Sequence, residues 1–384
     1  MFPPIQSGSS HYAERLAEGL AQRGHDVYVI TSSGAEISDM NDYRVIEIPS
    51  ITTPTTPMTH NYALPFNFFP LNIPLLRNII KKISPDIVHL NSNFLDLCLG
   101  AMIAAKGLGI ATVLTVHTRL IHANKFLNPF FRAVDKSLIK QILHKVDAFV
   151  ALDKQMYNYI LNTYDLSKDK IHPIPLAIDL DELLSTPTKP TLLDTLESQN
   201  IIASISHLTL LKSPRTLLEA VSIIKDDFED LIVAFAGRVC DTRFVNWAKE
   251  LDVSEHVVFM GEIPHHLIPS VLKRSCIEAH SLDYRTGFDN ASIEAMSLGL
   301  PVISCVPEDN FLREWLHNWE NVILVEPYSP NMVAEALYRL LSNQELMQNI
   351  SKNAGRSAKQ FFSIERMLDD FEQLYANLVG DLNQ

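Results

Sequence analysis

Three places along the chain gather residue types that can hold an anionic or hydroxyl-rich ligand. The first is Ser7-Gly8-Ser9-Ser10, followed at helical spacing by Tyr12, Ala13, Leu16 and Leu20. A helix start of small residues presents free backbone N–H groups and the positive end of the helix dipole, which suits a phosphate, although the same residues also serve as an ordinary N-cap. The second is His117, directly after the β-branched run Ala111–Val116. Ligands of α/β sheets collect at the C-terminal ends of parallel strands, so that position points to function, whereas a lone histidine elsewhere is more often structural. The third is Glu294, opening a helix-like run just after Gly287-Phe288-Asp289-Asn290. Its carboxylate either faces a ligand or stabilises the first turn of its own helix.

Strands and helices must alternate to position these groups. Val27–Thr31, Asp86–Leu90, Ala111–Val116 and Ala148–Leu152 are short, apolar and β-branched, each behind a helical pattern. A second set follows at Ile201–Ile205, Leu231–Ala236, Val257–Phe259, Pro301–Ser304 and Val322–Val325. Two parallel sheets covered on both faces are therefore expected. With 384 residues the chain is too long for one ordinary core. The expected division is 1–178, 179–362 and a terminal helix over 363–384, with the connector inside Leu176–Pro190. In that last helix Ser363 is the N-cap, and Ile364, Met367, Leu368, Phe371, Leu374, Tyr375 and Leu378 form one apolar stripe. The stripe fits burial on either domain. Only Met1–Gln6 precede the Ser7–Ser10 turn, too few for a strand of about five or six residues and its turn. The first strand of the first sheet is therefore expected to be missing, leaving that sheet short of a central member.

Composition closes off other classes. The four cysteines, Cys98, Cys240, Cys276 and Cys305, form no CxxC pair, which argues against a disulfide framework or zinc knuckle and fits a reducing cytoplasm. No signal peptide is visible, and the apolar stretch Leu95–Val116 is interrupted by Asp96, Lys106, Gly107 and Gly109, reading as a helix and a strand instead of a membrane span. There is no Gly-x-Ser-x-Gly elbow, phosphate-loop Gly-Lys-Ser/Thr or metal-spaced His/Glu helix. Residues 1–178 carry a net +2 and residues 179–384 a net −15, so nucleic acid is not the expected partner. The first half alone can approach an anionic surface.

Read in order, Phe2-Pro3-Pro4, Ser7–Ser10, Arg23–Val27, Ser84–His89, Thr115-Val116-His117, Lys212, Gly287–Met296 and Gly299–Ile303 resemble glycosyltransferase family 4 over nearly the whole chain. The resemblance implies a GT-B fold: two Rossmann-like, doubly wound domains facing each other across a cleft. It also implies a retaining glycosyltransferase that moves a hexose from a nucleotide-diphosphate sugar to an acceptor, without cofactor or essential metal. On that reading Gly8 and Ser9 approach the diphosphate, and His117 contacts the donor sugar near the reacting carbon. Lys212 and His207 stand where the family presents a lysine and an arginine to the phosphates. Gly261, Glu262 and Ile263 cradle the base. The backbone of Gly287, Phe288, Asp289 and Asn290 binds sugar and phosphate, and Glu294 accepts from the ribose hydroxyls. Thr286 occupies the place of a second, sugar-contacting glutamate. Asp179-Leu180-Asp181 mimics the metal-binding Asp-x-Asp of another glycosyltransferase fold, but its place in the connector makes it structural.

His207, Thr286 and the replacement of a usual Gly-Gly pair by Val306–Asn310 support a reading of another class, a degenerate partner subunit or binding module that no longer transfers sugar. Against it stand Lys212, Glu294, Gly287 and His117 together. Finally, Arg119–Lys145 interleaves Arg119, Lys125, Arg132, Lys136, Lys140 and Lys145 with Phe126, Phe130, Phe131, Leu138, Ile139 and Ile142. That pattern suits either a helix docking peripherally on the inner face of an anionic membrane, with a lipid-linked acceptor, or one packing on its own sheet. The Thr52–Pro74 loop, rich in proline and aromatics, is a candidate acceptor wall.

Overall fold

The computed structural model describes residues 8–32, 42–52, 65–120, 126, 128–189, 191–208, 214–241, 243–280, 282 and 288–382. The chain divides into unit 1, residues 1–175 with 367–384, and unit 2, residues 176–366. The breaks fall three residues before and four after the sequence-based boundaries.

Unit 1 contains β1 (Tyr28–Ser32), β2 (Arg44–Ile48), β3 (Ile51–Thr52), β4 (Pro65–Phe66), β5 (Ile87–Leu90), β6 (Ala111–Val116), β7 (Ala148–Ala151) and β8 (Ile171–Pro173). Its helices are α1 (Gly8–Gln22), α2 (Ile73–Ile83), α3 (Asp96–Lys106), α4 (Asn128–Val134), α5 (Lys140–Leu143) and α6 (Lys154–Tyr164). Strands β5, β6, β7 and β8 form one parallel sheet in that order, and β6 and β7 are buried along their whole length. Burial on both faces explains why these two read as short, apolar and β-branched runs, with Thr112 and Thr115 the only polar members. The apolar Leu95–Val116 stretch becomes α3 and β6, and among the described residues no helix is long and apolar enough to cross a membrane.

Among the described residues, strands β1 and β2 pair only with each other, and a cavity of about 1250 Å³ lies against all of β1 and all of β5. Leu16 and Ala17 of α1 and Ile80 of α2 also line it. The residues that precede α1, on which the expected shortfall of the first sheet turns, lie outside the described residues.

Unit 2 contains α7 (Leu180–Ser185), β9 (Ile201–Ile205), α8 (Pro214–Ile224), β10 (Ile232–Ala236), α9 (Arg243–Glu250), β11 (Val257–Gly261), α10 (Ile268–Arg274), β12 (Ile277–Ala279), α11 (Asn290–Ser297), β13 (Val302–Ser304), β14 (Ile323–Leu324), α12 (Pro330–Ser342) and α13 (Gln344–Phe361). All six strands are parallel, in the order β11-β10-β9-β12-β13-β14. The loops that leave them therefore gather at one edge of the sheet.

The terminal helix α14 (Ile364–Leu382) belongs to unit 1 from Met367 onward. Ser363 caps it as expected, its Oγ accepting from the Arg366 N–H at 3.4 Å. The stripe is buried at Met367, Leu368, Phe371 and Leu374. Gly19 of α1 lets Leu368 come close: a Cβ there would lie 2.6 Å from a Leu368 methyl. At the exposed end of the same contact, Arg23 reaches Asp369 and Glu372, each at 2.7 Å.

Candidate functional site

In unit 1 the sequence candidates Ser9 and His117 meet through a residue that the sequence did not single out, Asn91. Its amide Nδ2 donates to the Ser9 carbonyl at 2.9 Å, and its Oδ1 accepts from His117 Nε2 at 2.6 Å. The start of α1 is thereby tied to the end of β6. Gly8 opens α1, as expected. His117 packs edge-on against Tyr12, with ring centroids 4.8 Å apart. Burial is the first cause that pulls its pKa well below the ordinary histidine range, so the ring is neutral near pH 7. With Nε2–H given to Asn91, Nδ1 is an acceptor suited to a hydroxyl. A small pocket of about 30 Å³ lined by Ser9, Asn91, Ser92, Asn93, His117 and Thr118 adjoins it.

In unit 2 the site is built from loops that follow parallel strands. After β9, His207 Nδ1 accepts from the Arg238 backbone N–H at 3.2 Å, which in the neutral ring leaves the proton on Nε2. This imidazole offers one neutral donor where a guanidinium would offer a charged fork. After β10, Gly237 (φ +156°) lies so near the Ser206 carbonyl that a Cβ would be 2.0 Å from the oxygen. Only glycine lets these two loops approach. Lys212, Thr286 and Gly287 lie outside the described residues, as do Lys125 and most of the proposed acceptor wall.

After β11 the chain passes Ile263, which packs partly buried beside the cores below, and reaches His265. Glu294 is not at the start of its helix: α11 begins at Asn290, so Glu294 is in the second turn and cannot be a first-turn stabiliser. Its side chain is buried, 4% exposed, and Oε1 is 3.0 Å from His265 Nε2. The sequence missed His265 because its partner lies 29 positions away. Phe288 is buried in the core, and Asp289 is the N-cap of α11.

A second group was also missed. His280, just after β12, bonds through Nδ1 to Glu278 and through Nε2 to Asp289, while Ser292 Oγ donates to Glu278 at 3.2 Å. Glu278, His280 and Ser292 are buried. Burial alone would lower the His280 pKa, but the charges of Asp289 and Glu278 and their hydrogen bonds overcome it and hold the ring up at about 10. Burial raises that of Glu278.

Two family models match the chain: Glycosyltransferase Family 4 over residues 6–182 and Glycosyl transferases group 1 over residues 191–357. The chain belongs to glycosyltransferase family 4. By that membership it is a transferase. It is 22% identical to N-acetyl-alpha-D-glucosaminyl L-malate synthase of Bacillus anthracis, over 98% of this chain and 96% of that protein. It is 24% identical to alpha-monoglucosyldiacylglycerol synthase of Streptococcus pneumoniae, over 79% of this chain and 68% of that protein. Among solved structures, Anabaena HepE in complex with UDP and glucose superposes with a TM-score of 0.73 at 13% identity, covering 98% of both chains. The family-4 chain thus has the GT-B fold of two Rossmann-like domains. The names of its relatives specify different acceptors.

Proposed function

We propose that the protein transfers a hexose from a nucleoside-diphosphate sugar to an acceptor hydroxyl with retention of configuration, without a metal. The observation that carries this reading is the Glu294–His265 pair. A buried carboxylate, held among the described residues by one half-exposed imidazole between the loop leaving β11 and the helix following β12, sits at the sheet edge where ligands bind. A buried carboxylate with so little compensation is costly to the fold, and ribose hydroxyls would supply the missing donors. The HepE complex makes UDP the first nucleotide to try.

In the reaction, the acceptor oxygen attacks the anomeric carbon on the face from which the diphosphate departs. The bond from that carbon to the phosphate oxygen breaks, and the acceptor's proton passes to a phosphate oxygen. No protein nucleophile is needed, so the protein's work is to orient the donor and stabilise charge on the departing diphosphate. Lys212, the His207 ring N–H and the N-terminal N–H groups of α11 are the donors assigned to that charge.

The test is calorimetry with UDP, GDP and ADP and their sugars. Micromolar binding by wild type and a loss of at least about tenfold in Lys212→Ala are expected, a charge-assisted contact being involved. Absence of binding by well-folded protein would favour the non-catalytic partner reading.

The acceptor is proposed to be lipid-linked. Phe126 and Phe130 are 92% and 62% exposed, and Leu138 is exposed, as are the bases Arg132 and Lys136. The segment is anchored from below by buried Ile139, Leu143 and Asp135, the last accepting from the Tyr164 hydroxyl at 3.1 Å. Packing on its own sheet thus uses one side of the segment and leaves an aromatic, basic side outward, as a membrane surface requires. Sedimentation with phosphatidylglycerol vesicles, but not phosphatidylcholine vesicles, is expected, and Phe126→Asp/Phe130→Asp should abolish it. Equal sedimentation of the double variant would remove the lipid reading.

A further inference from the structure

Asp289 stands at the N-cap of α11 with extended backbone, φ −113° and ψ 179°. Aspartate at that position ordinarily turns its side chain onto the N–H groups of the first turn. Here the side chain makes no such bond. Its carboxylate is bonded to His280 Nε2, and the other ring nitrogen is bonded to Glu278 in the centre of the sheet. Both ring nitrogens face carboxyl oxygens, and with both carboxyls ionised these only accept, so both ring nitrogens donate. Ser292, in the first turn of α11, closes the group by donating to the second oxygen of Glu278 at 3.2 Å. Three of the four members are buried, whereas the Asp289 side chain is 26% exposed and forms the outer end.

We propose that His280 is a positioning residue that draws the Asp289 carboxylate away from the start of α11 and so keeps the helix's first N–H groups for the diphosphate of the donor. This rests on the reading of α11 as part of the donor site. A carboxylate released from His280 would compete for those N–H groups and place a negative charge where the phosphates must lie. Glu278 holds the imidazolium from behind, and Ser292 fixes the helix start to the same pair, so the end of α11 is set from the middle of the sheet. Beside it, Asn290 Oδ1 is buried with no hydrogen-bond partner among the described residues, an acceptor placed for an incoming hydroxyl. The histidine thus acts on the ligand only through Asp289.

The test is calorimetric titration of full-length protein with UDP and with inorganic pyrophosphate, the second needing only the phosphate-binding groups. His280→Gln should weaken both by about tenfold or more, the scale of a misplaced charge at a helix start. Removing the competing carboxylate in His280→Gln/Asp289→Ala should recover most of the loss, which a merely structural role for His280 would not allow. Wild-type affinity in the single variant, or no recovery in the double variant, overturns the proposal while leaving the donor reading in place. Wild type that binds neither probe removes the donor reading and this proposal with it. Should His280→Gln fail to fold, histidine ¹⁵N spectra of wild type decide. Both His280 nitrogens protonated up to pH 8 is the expected result, and one bare nitrogen refutes the bridge.

Discussion

Glu294→Ala is expected to lower kcat/KM for the nucleotide sugar by roughly 10²- to 10⁴-fold, the equivalent of two lost hydrogen bonds to a charged group at about 1.5–3 kcal/mol each. The carboxylate is buried and has His265 at 3.0 Å, so its second oxygen and remaining lone pairs are the natural acceptors for a ribose diol. The loss should fall mainly on KM and little on kcat, because the ribose does not change during the reaction. Glu294→Gln keeps the volume and one acceptor and should lie between the two. The check is steady-state kinetics beside circular dichroism, since the fold must survive for the result to concern the site. Transfer at the wild-type rate by a folded Glu294→Ala protein would mean that the donor is held elsewhere.

The second large effect is structural. Phe371→Ala in α14 is expected to destabilise unit 1 by about 3–5 kcal/mol, the usual cost of removing a buried phenylalanine. Phe371 is fully buried against His89 of β5 and Tyr12 of α1, with ring centroids 5.2 Å and 6.4 Å apart. His89 is itself committed, through Nδ1 to the Tyr375 hydroxyl at 2.6 Å and through Nε2 to Thr115 at 2.8 Å. The cavity left by the ring would open beside a polar pair that has no other way to be satisfied. Denaturant unfolding followed by circular dichroism measures the change. A loss under 1 kcal/mol would show that the last helix contributes little to unit 1.

The sequence made the fold legible where apolar side chains alone decide it. Ala111–Val116 and Ile201–Ile205 are strands with the expected bounds because a strand buried on both faces is mostly apolar and β-branched, its few hydroxyls (Thr112, Thr115, Ser204) being small. It failed at β12, the central strand Ile277–Ala279, because Glu278 and His280 break the apolar run. Those polar residues are tolerated only because they satisfy each other, and pairing of that kind is invisible until the loop after the strand is folded back. The short edge strand β8 was missed for another reason: His172 and Pro173 leave it one apolar residue, and an edge tolerates that. At the candidate site, Glu294 and His117 were legible because each follows a strand or a glycine-bearing loop in the chain. Asn91 and His265 were not, since what distinguishes them is a partner 26 or 29 residues distant.

The division into two units also decides what light can report. The chain has three tryptophans, and Trp247, Trp315 and Trp319 all belong to unit 2. Trp315 stacks on Phe361 and Trp319 lies under Arg339, so both emitters are sensitive to packing around α12 and α13. Unit 1 contains only tyrosine and phenylalanine as aromatic chromophores of this kind. Tryptophan emission during unfolding therefore follows unit 2 alone, and unit 1 passes through its transition unseen by that probe.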